Sequence, residues 1–162
     1  MKILITSTFA LICLVCNVRG QGPNDRSKVL ISFKSHADHC FSLCVGEEDL
    51  TCCPVYSFTI NGNGQVEYEG RMGVKVRGKK AHSVSAAQVE QLVEDFYRID
   101  FFSLSDRYDD QRIDHFNGVT IGLTVGDRTK SIYAGHGQPV ELNVLLRKVI
   151  ELSGISKYLG RS

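Results

Sequence analysis

The stretch Val55-Tyr56-Ser57-Phe58-Thr59-Ile60-Asn61-Gly62-Asn63-Gly64-Gln65-Val66-Glu67-Tyr68-Glu69-Gly70 decides the architecture. Tyr56, Phe58 and Ile60 alternate with Ser57 and Thr59, the period-two pattern of a strand with one buried face. The Asn-Gly-Asn-Gly run is a turn signal. For Val66 and Tyr68 to share the buried side, Ile60 must oppose Val66 and Phe58 must oppose Tyr68. That leaves Gly62-Asn63-Gly64 as the loop, with Gly64 in the left-handed region.

Working outward, Val29 to Phe33 reads as a short strand before this hairpin. After it, the same pattern argument pairs Gln65–Gly70 with Val74–Gly78, placing Tyr68 opposite Val76, Glu69 opposite Lys75 and Glu67 opposite Arg77. Ser85-Ala86-Ala87-Gln88 has the form of a capping box opening a helix. In that helix Val89, Leu92, Val93, Phe96 and Ile99 share one face, while Glu90, Gln91, Glu94 and Asp95 face water. Phe101 to Leu104 is a packed, irregular exit, and Asp106 to Asp114 reads as an exposed loop. Val119 to Val125 and Arg128 to Ala134 form a tight hairpin pairing Ile121 with Ile132 and Val119 with Ala134. Pro139 suits the first turn of a second helix, whose stripe Leu142, Leu145, Leu146, Val149, Ile150 ends near Ser153-Gly154. The expected fold is α+β: an antiparallel sheet of about five or six strands, covered on one face by two helices, with a disulfide-stapled loop.

The 162 residues, 43% hydrophobic and 23% charged, suit one globular domain. With 19 Lys plus Arg against 18 Asp plus Glu, no chain-wide field draws the protein to nucleic acid. Lys2, the apolar run Ile3 to Val15 and the exit Val18-Arg19-Gly20 form an export signal, too short to span a bilayer. The expected organisation is a signal peptide over 1–20, a flexible N-terminus over 21–28 and one domain over 29–160. The expected destination is extracellular or another oxidising compartment, with no membrane span after cleavage. No Asn-x-Ser/Thr triplet is present.

Cys40, Cys44, Cys52 and Cys53 remain after cleavage, an even set in an oxidising setting. Three pairings are open. Nesting Cys40 with Cys53 and Cys44 with Cys52 is favoured, though sequence does not separate the pairings; a bond between vicinal Cys52 and Cys53 is disfavoured because it would distort the intervening peptide.

The run from Cys53-Pro54-Val55-Tyr56 through Ile60-Asn61-Gly62-Asn63-Gly64 to Val66-Glu67-Tyr68-Glu69-Gly70 resembles a family signature, C-P-x-Y, I-x-G-x-G, V-x-Y-x-G. The family is the domain of unknown function numbered 6438. The likeness continues through Val74 to Gly78, Asp100 to Leu104 and Gly137 to Leu142, covering roughly Val29 to Leu159. The resemblance implies the α+β fold and an exported, often lipoprotein-type, bacterial setting, and no particular reaction. In the family a cysteine a few residues earlier accompanies the Cys-Pro, matched here by Cys40 and Cys53. The longer intervening segment and the additional Cys44 and Cys52 depart from the pattern.

His36, His39, Cys40 and Cys44 are the densest set of metal-ligand side chains and would suit zinc or copper if the thiols stayed reduced. In an exported chain the disulfide staple is the favoured reading, and no cofactor is expected. Asp106, Asp109, Asp110, Asp114 and His115 lack the spacing of a hand-type calcium loop. The basic run Lys75, Arg77, Lys79, Lys80, His82 would suit a heparin-like anion, but cross-strand ion pairing and edge protection account for it. Ser131 and Tyr133, with His115 and His136 flanking their hairpin, are the components a hydrolase would need. No G-x-S-x-G, H-E-x-x-H or phosphate loop accompanies them. These observations favour a secreted, non-catalytic module that binds a protein or extracellular ligand through its cysteine loop and the loop from Asp106 to Asn117. A metal-dependent or hydrolytic enzyme using His36, His39 or His136 is the alternative. A protease inhibitor presenting Gly46 to Leu50 is the third reading. The exposed strand face leaves room for a second copy, and alternation does not decide the oligomeric state.

Overall fold

The strand nearest the start of the domain ends up in its middle. β1 (Val29–Ser35) is flanked by β2 (Val55–Asn61) on one side and β6 (Val119–Val125) on the other, both antiparallel. β3 (Gln65–Met72) and β4 (Gly78–Ser83) continue outward from β2. β7 (Arg128–Ala134) and the two-residue β5 (Arg107–Tyr108) continue from β6, giving the order β4-β3-β2-β1-β6-β7-β5. The computed structural model describes residues 26–36, 54–109 and 118–160. The signal segment, all six cysteines, His39, the Gly46 to Leu50 loop and Asp110, Asp114 and His115 lie outside the described residues.

Two of the three hairpin registers read from alternation hold. Phe58 pairs with Tyr68 and Ile60 with Val66 around a loop whose Gly64 has φ +83°. Ile121 pairs with Ile132 and Val119 with Ala134. Ile31, Phe33, Phe58, Ile60, Val66, Tyr68, Ile121, Leu123 and Ile132 form the floor of the core.

Three expectations are corrected. The sheet has seven strands rather than five or six, because Arg107 and Tyr108 leave the anticipated loop and pair parallel to Tyr133 and Ala134. The partner of β3 is Gly78–Ser83, not Val74–Gly78, so Tyr68 opposes Lys80, Glu69 opposes Lys79 and Glu67 opposes Ala81. The groups a hairpin at 74–78 would use are taken. The Val76 N–H donates to Tyr158 O at 3.0 Å, and its carbonyl accepts from the Tyr68 hydroxyl at 3.1 Å. Val74 is buried in the core from a bend, not from a strand. Finally, Asp95 does not face water: it is 3% exposed, ion-paired with Arg98 and held by Lys148 Nζ at 3.1 Å from both its oxygens.

Two helices cover one face. α1 (Ala86–Arg98) starts at the anticipated capping box, where the Gln88 N–H donates to Ser85 Oγ at 3.2 Å and the Ser85 N–H donates back to Gln88 Oε1 at 2.9 Å. It buries Val89, Leu92 and Phe96. α2 (Val140–Leu152), capped by Pro139, buries Leu142, Leu145, Leu146 and Val149. The Asp95–Lys148 bridge ties the two helices together. After Gly154 (φ +69°), the single-turn α3 (Ser156–Leu159) brings Tyr158 against Tyr68, ring centroids 4.9 Å apart, and against His82. Burial and, secondarily, Tyr158 push the Tyr68 hydroxyl up to a pKa of about 12.

Candidate functional site

With both helices on one side, the residues alternating with the core form an open polar face. The strand registers align them into rows. One row crosses all seven strands: Lys79, Glu69, Ser57, Lys34, Thr120, Tyr133, Arg107. The next contains Ala81, Glu67, Thr59, Ser32, Gly122 and Ser131. The short side chains between the longer charged ones leave a groove of about 840 Å³. Ser32, Ser57, Thr59 and Thr120 line it, with Lys34 and Lys79 set against Glu67 and Glu69. Gly122 keeps the floor low, since a Cβ there would press on Ser32 Oγ.

At one end of the charged row lies a cluster that the sequence did not reveal. His36 Nε2 and Thr120 Oγ1 are hydrogen-bonded at 2.8 Å, and the imidazole lies 5.7 Å from the Tyr133 ring. The Arg107 guanidinium lies 4.4 Å from the Tyr133 ring centroid and is ion-paired with Asp109. Gly118 makes room for the phenol, because a Cβ there would enter the ring. An imidazole, an alcohol, a phenol and a guanidinium side by side offer several hydrogen-bond partners to a polar ligand.

The same end anchors both loops singled out in the sequence. The His36 N–H donates to Gly118 O at 2.8 Å, so residues 37–53 and 110–117 depart from adjacent points. Buried Ser35 fixes the return of the first: its Oγ donates to Pro54 O at 2.7 Å and accepts from the Tyr56 N–H at 2.9 Å.

The remaining sequence candidates are dispersed. Ser131 and Tyr133 do share the open face, but the histidine beside Tyr133 is His36, while His136 lies past β7 with its N–H directed to Tyr108 O. Asp106 pairs with Lys130 at 2.7 Å and Asp109 with Arg107. The basic run forms no single cationic surface. Lys75 and Arg77 sit in the bend, Lys79 and Lys80 point to opposite faces of β4, and His82 turns to Ser153 O at 2.8 Å. Among the described residues, no three His, Cys, Asp or Glu side chains gather as metal ligands, and no helix is long and apolar enough to cross a membrane.

A family model described as a domain of unknown function, DUF6438, matches residues 42–153. The chain belongs to this family. The DUF6438 match takes in β2 to β7 and both long helices, ending at the Ser153 cap. β1 and the α3 turn, which complete the centre of the sheet and seal Tyr68, therefore flank the DUF6438 segment. No curated protein matches the chain.

Proposed function

We propose that this is an exported, disulfide-stapled, non-catalytic binding module whose ligand lies along the open sheet face, next to the end where the cysteine loop attaches. The observation that carries the reading is the groove of about 840 Å³ on a face whose hydroxyls and charges run in register across the sheet. A surface of that kind is suited to a polar, extended extracellular ligand: it supplies many donors and acceptors on a rigid support. The export signal supplies the compartment, and the even set Cys40, Cys44, Cys52, Cys53 supplies the staple.

The hydrolytic alternative rests on the 2.8 Å contact between His36 and Thr120, an imidazole beside an alcohol. One sample separates the readings. Intact mass of the exported protein, with and without reduction and alkylation, is measured alongside metal analysis. The binding module requires a chain beginning near Gln21, no free thiols and no stoichiometric metal. Retained thiols with bound metal, or turnover of ester or peptide substrates that His36→Ala abolishes, would overturn it.

A further inference from the structure

β7 is an outer strand for most of its length. Of its seven residues, β5 pairs only with Tyr133 and Ala134. Main-chain groups in an antiparallel ladder alternate between the two neighbours. The Tyr133 N–H donates outward, to Asp106 O at 2.9 Å, so Thr129 and Ser131 direct theirs outward in the same phase. Beside them runs a second groove, about 510 Å³, walled by Phe102 and Asp106 and floored by Arg128 to Ser131.

Exposed strand edges usually carry devices that block another strand from adding. The opposite edge has one: β4 presents Lys79 and Lys80, both exposed, along six residues that are nearly all solvent-facing. On β7 the two charges are engaged by neighbours instead. Lys130 is pulled to Asp106, leaving its side chain 14% exposed, and the Arg128 guanidinium lies flat over Phe102, 4.0 Å from the ring centroid. β7 contains no proline, and its pairing with β6 is regular from Val125/Arg128 to Val119/Ala134. Among the described residues the edge is thus regular, free of proline and bordered by a trough.

We propose that the Arg128–Ile132 edge of β7 is a docking site for an extended segment of another polypeptide, which adds as a strand beside β5. The incoming strand exchanges main-chain hydrogen bonds with Thr129 and Ser131. On one side its residues meet the Thr129 and Ser131 hydroxyls, which favours Thr or Ser. On the other they meet Lys130, already paired with Asp106, and Arg128, which has no ion-pair partner among the described residues and favours one acidic residue opposite it. A second copy of this chain is the poorer occupant, because two β7 edges related by a two-fold centred on residue 130 would place Lys130 opposite Lys130. This site is separate from the open-face groove, and neither stands or falls with the other.

The test is a selection of displayed random linear peptides against the full mature chain, followed by affinity measurement on variants. Thr129→Pro and Ser131→Pro each remove an outward N–H without touching the β6 ladder, and proline is tolerated on an edge. Selected peptides should carry Thr or Ser at alternate positions with one acidic residue placed to meet Arg128, and either proline should weaken them about tenfold. On the unsubstituted protein, saturating peptide should slow amide exchange at Thr129 and Ser131, a readout that holds even if a proline variant fails to fold. The proposal is overturned if no peptide is enriched, or if peptides bind the proline variants undiminished or protect amides elsewhere. It is overturned equally if the edge is satisfied by self-association that Ser131→Pro abolishes in sedimentation.

Discussion

The two faces of the sheet are built from the same strands by residues one position apart, yet they obey different rules. On the helix side Phe58 is 2% exposed, its ring stacked 5.1 Å from Phe33 with Tyr56 alongside. On the other side Ser57 and Thr59 line an open groove. Packing decides the first set, so size and shape are constrained at each position. Solvent contact leaves the second set free to carry chemistry. Stability therefore rests on one set of alternate residues and the proposed recognition on the other, and substitutions should separate them.

The largest expected effect is at Phe58. Phe58→Ala should lower the unfolding free energy by about 3–5 kcal/mol, through lost burial and the cavity left behind. Thr59→Ala, its neighbour, should stay within about 0.5 kcal/mol. Urea denaturation of the two variants tests the contrast directly, and a comparable loss at Thr59 would mean the second face is packed.

Tyr68 sharpens the comparison through pH. Its folded pKa, about 12, lies above the ordinary value of 10.0, so the folded state holds the proton more tightly. The associated stability is present in full below pH 10 and is lost as pH rises toward 12, a loss of about 2–3 kcal/mol. In Tyr68→Phe the fall in denaturation midpoint across that window should be shallower. Equal slopes for both proteins would assign the alkaline loss to other groups.

Asp95 is the charged exception within the helix layer. Asp95→Ala leaves Lys148 and Arg98 without their shared carboxylate, and because both cations are partly exposed the cost should be about 1–2 kcal/mol. Lys148→Met in the Asp95→Ala background should then cost less than Lys148→Met alone, which a double-mutant cycle measures. The smallest expected loss in the helix layer is at the helix start: Ser85→Ala removes one half of the capping box and should cost about 1 kcal/mol by thermal unfolding, with the open face unchanged.

Legibility in the sequence followed the range of each interaction. The Gly62–Gly64 hairpin, the β6–β7 hairpin and the capped helix were all readable, because each is decided by residues a few positions apart. β4 is not legible in the sequence, because Val74 and Val76 mimic strand alternation, whereas the true strand, Gly-Lys-Lys-Ala-His-Ser, has almost no apolar signal. An edge strand with solvent on most sides needs none. Asp95 looked like a water-facing residue because Lys148 lies on the other helix. The His36–Thr120–Tyr133 cluster was invisible for the same reason: it exists only because β1 pairs with β6 and β6 with β7. Generic alternation points to an open face, but not to which side chains meet on it.

The central position of β1 has a consequence for how the chain acquires its structure. β2, β3 and β4 follow in sequence and can zip together by local turns, but the other side of β1 waits for β6, with Ile31 pairing to Leu123 about 90 residues later. Until β6 arrives, β1 is itself an open edge with Ile31 and Phe33 uncovered on the side it will later fill. Folding should therefore have a slow, long-range closing step, and a chain that crosses a membrane unfolded would complete its sheet only after the last third has emerged. Substitutions at Leu123 or Ile121 should slow refolding, while those in the Gly62–Gly64 hairpin act earlier.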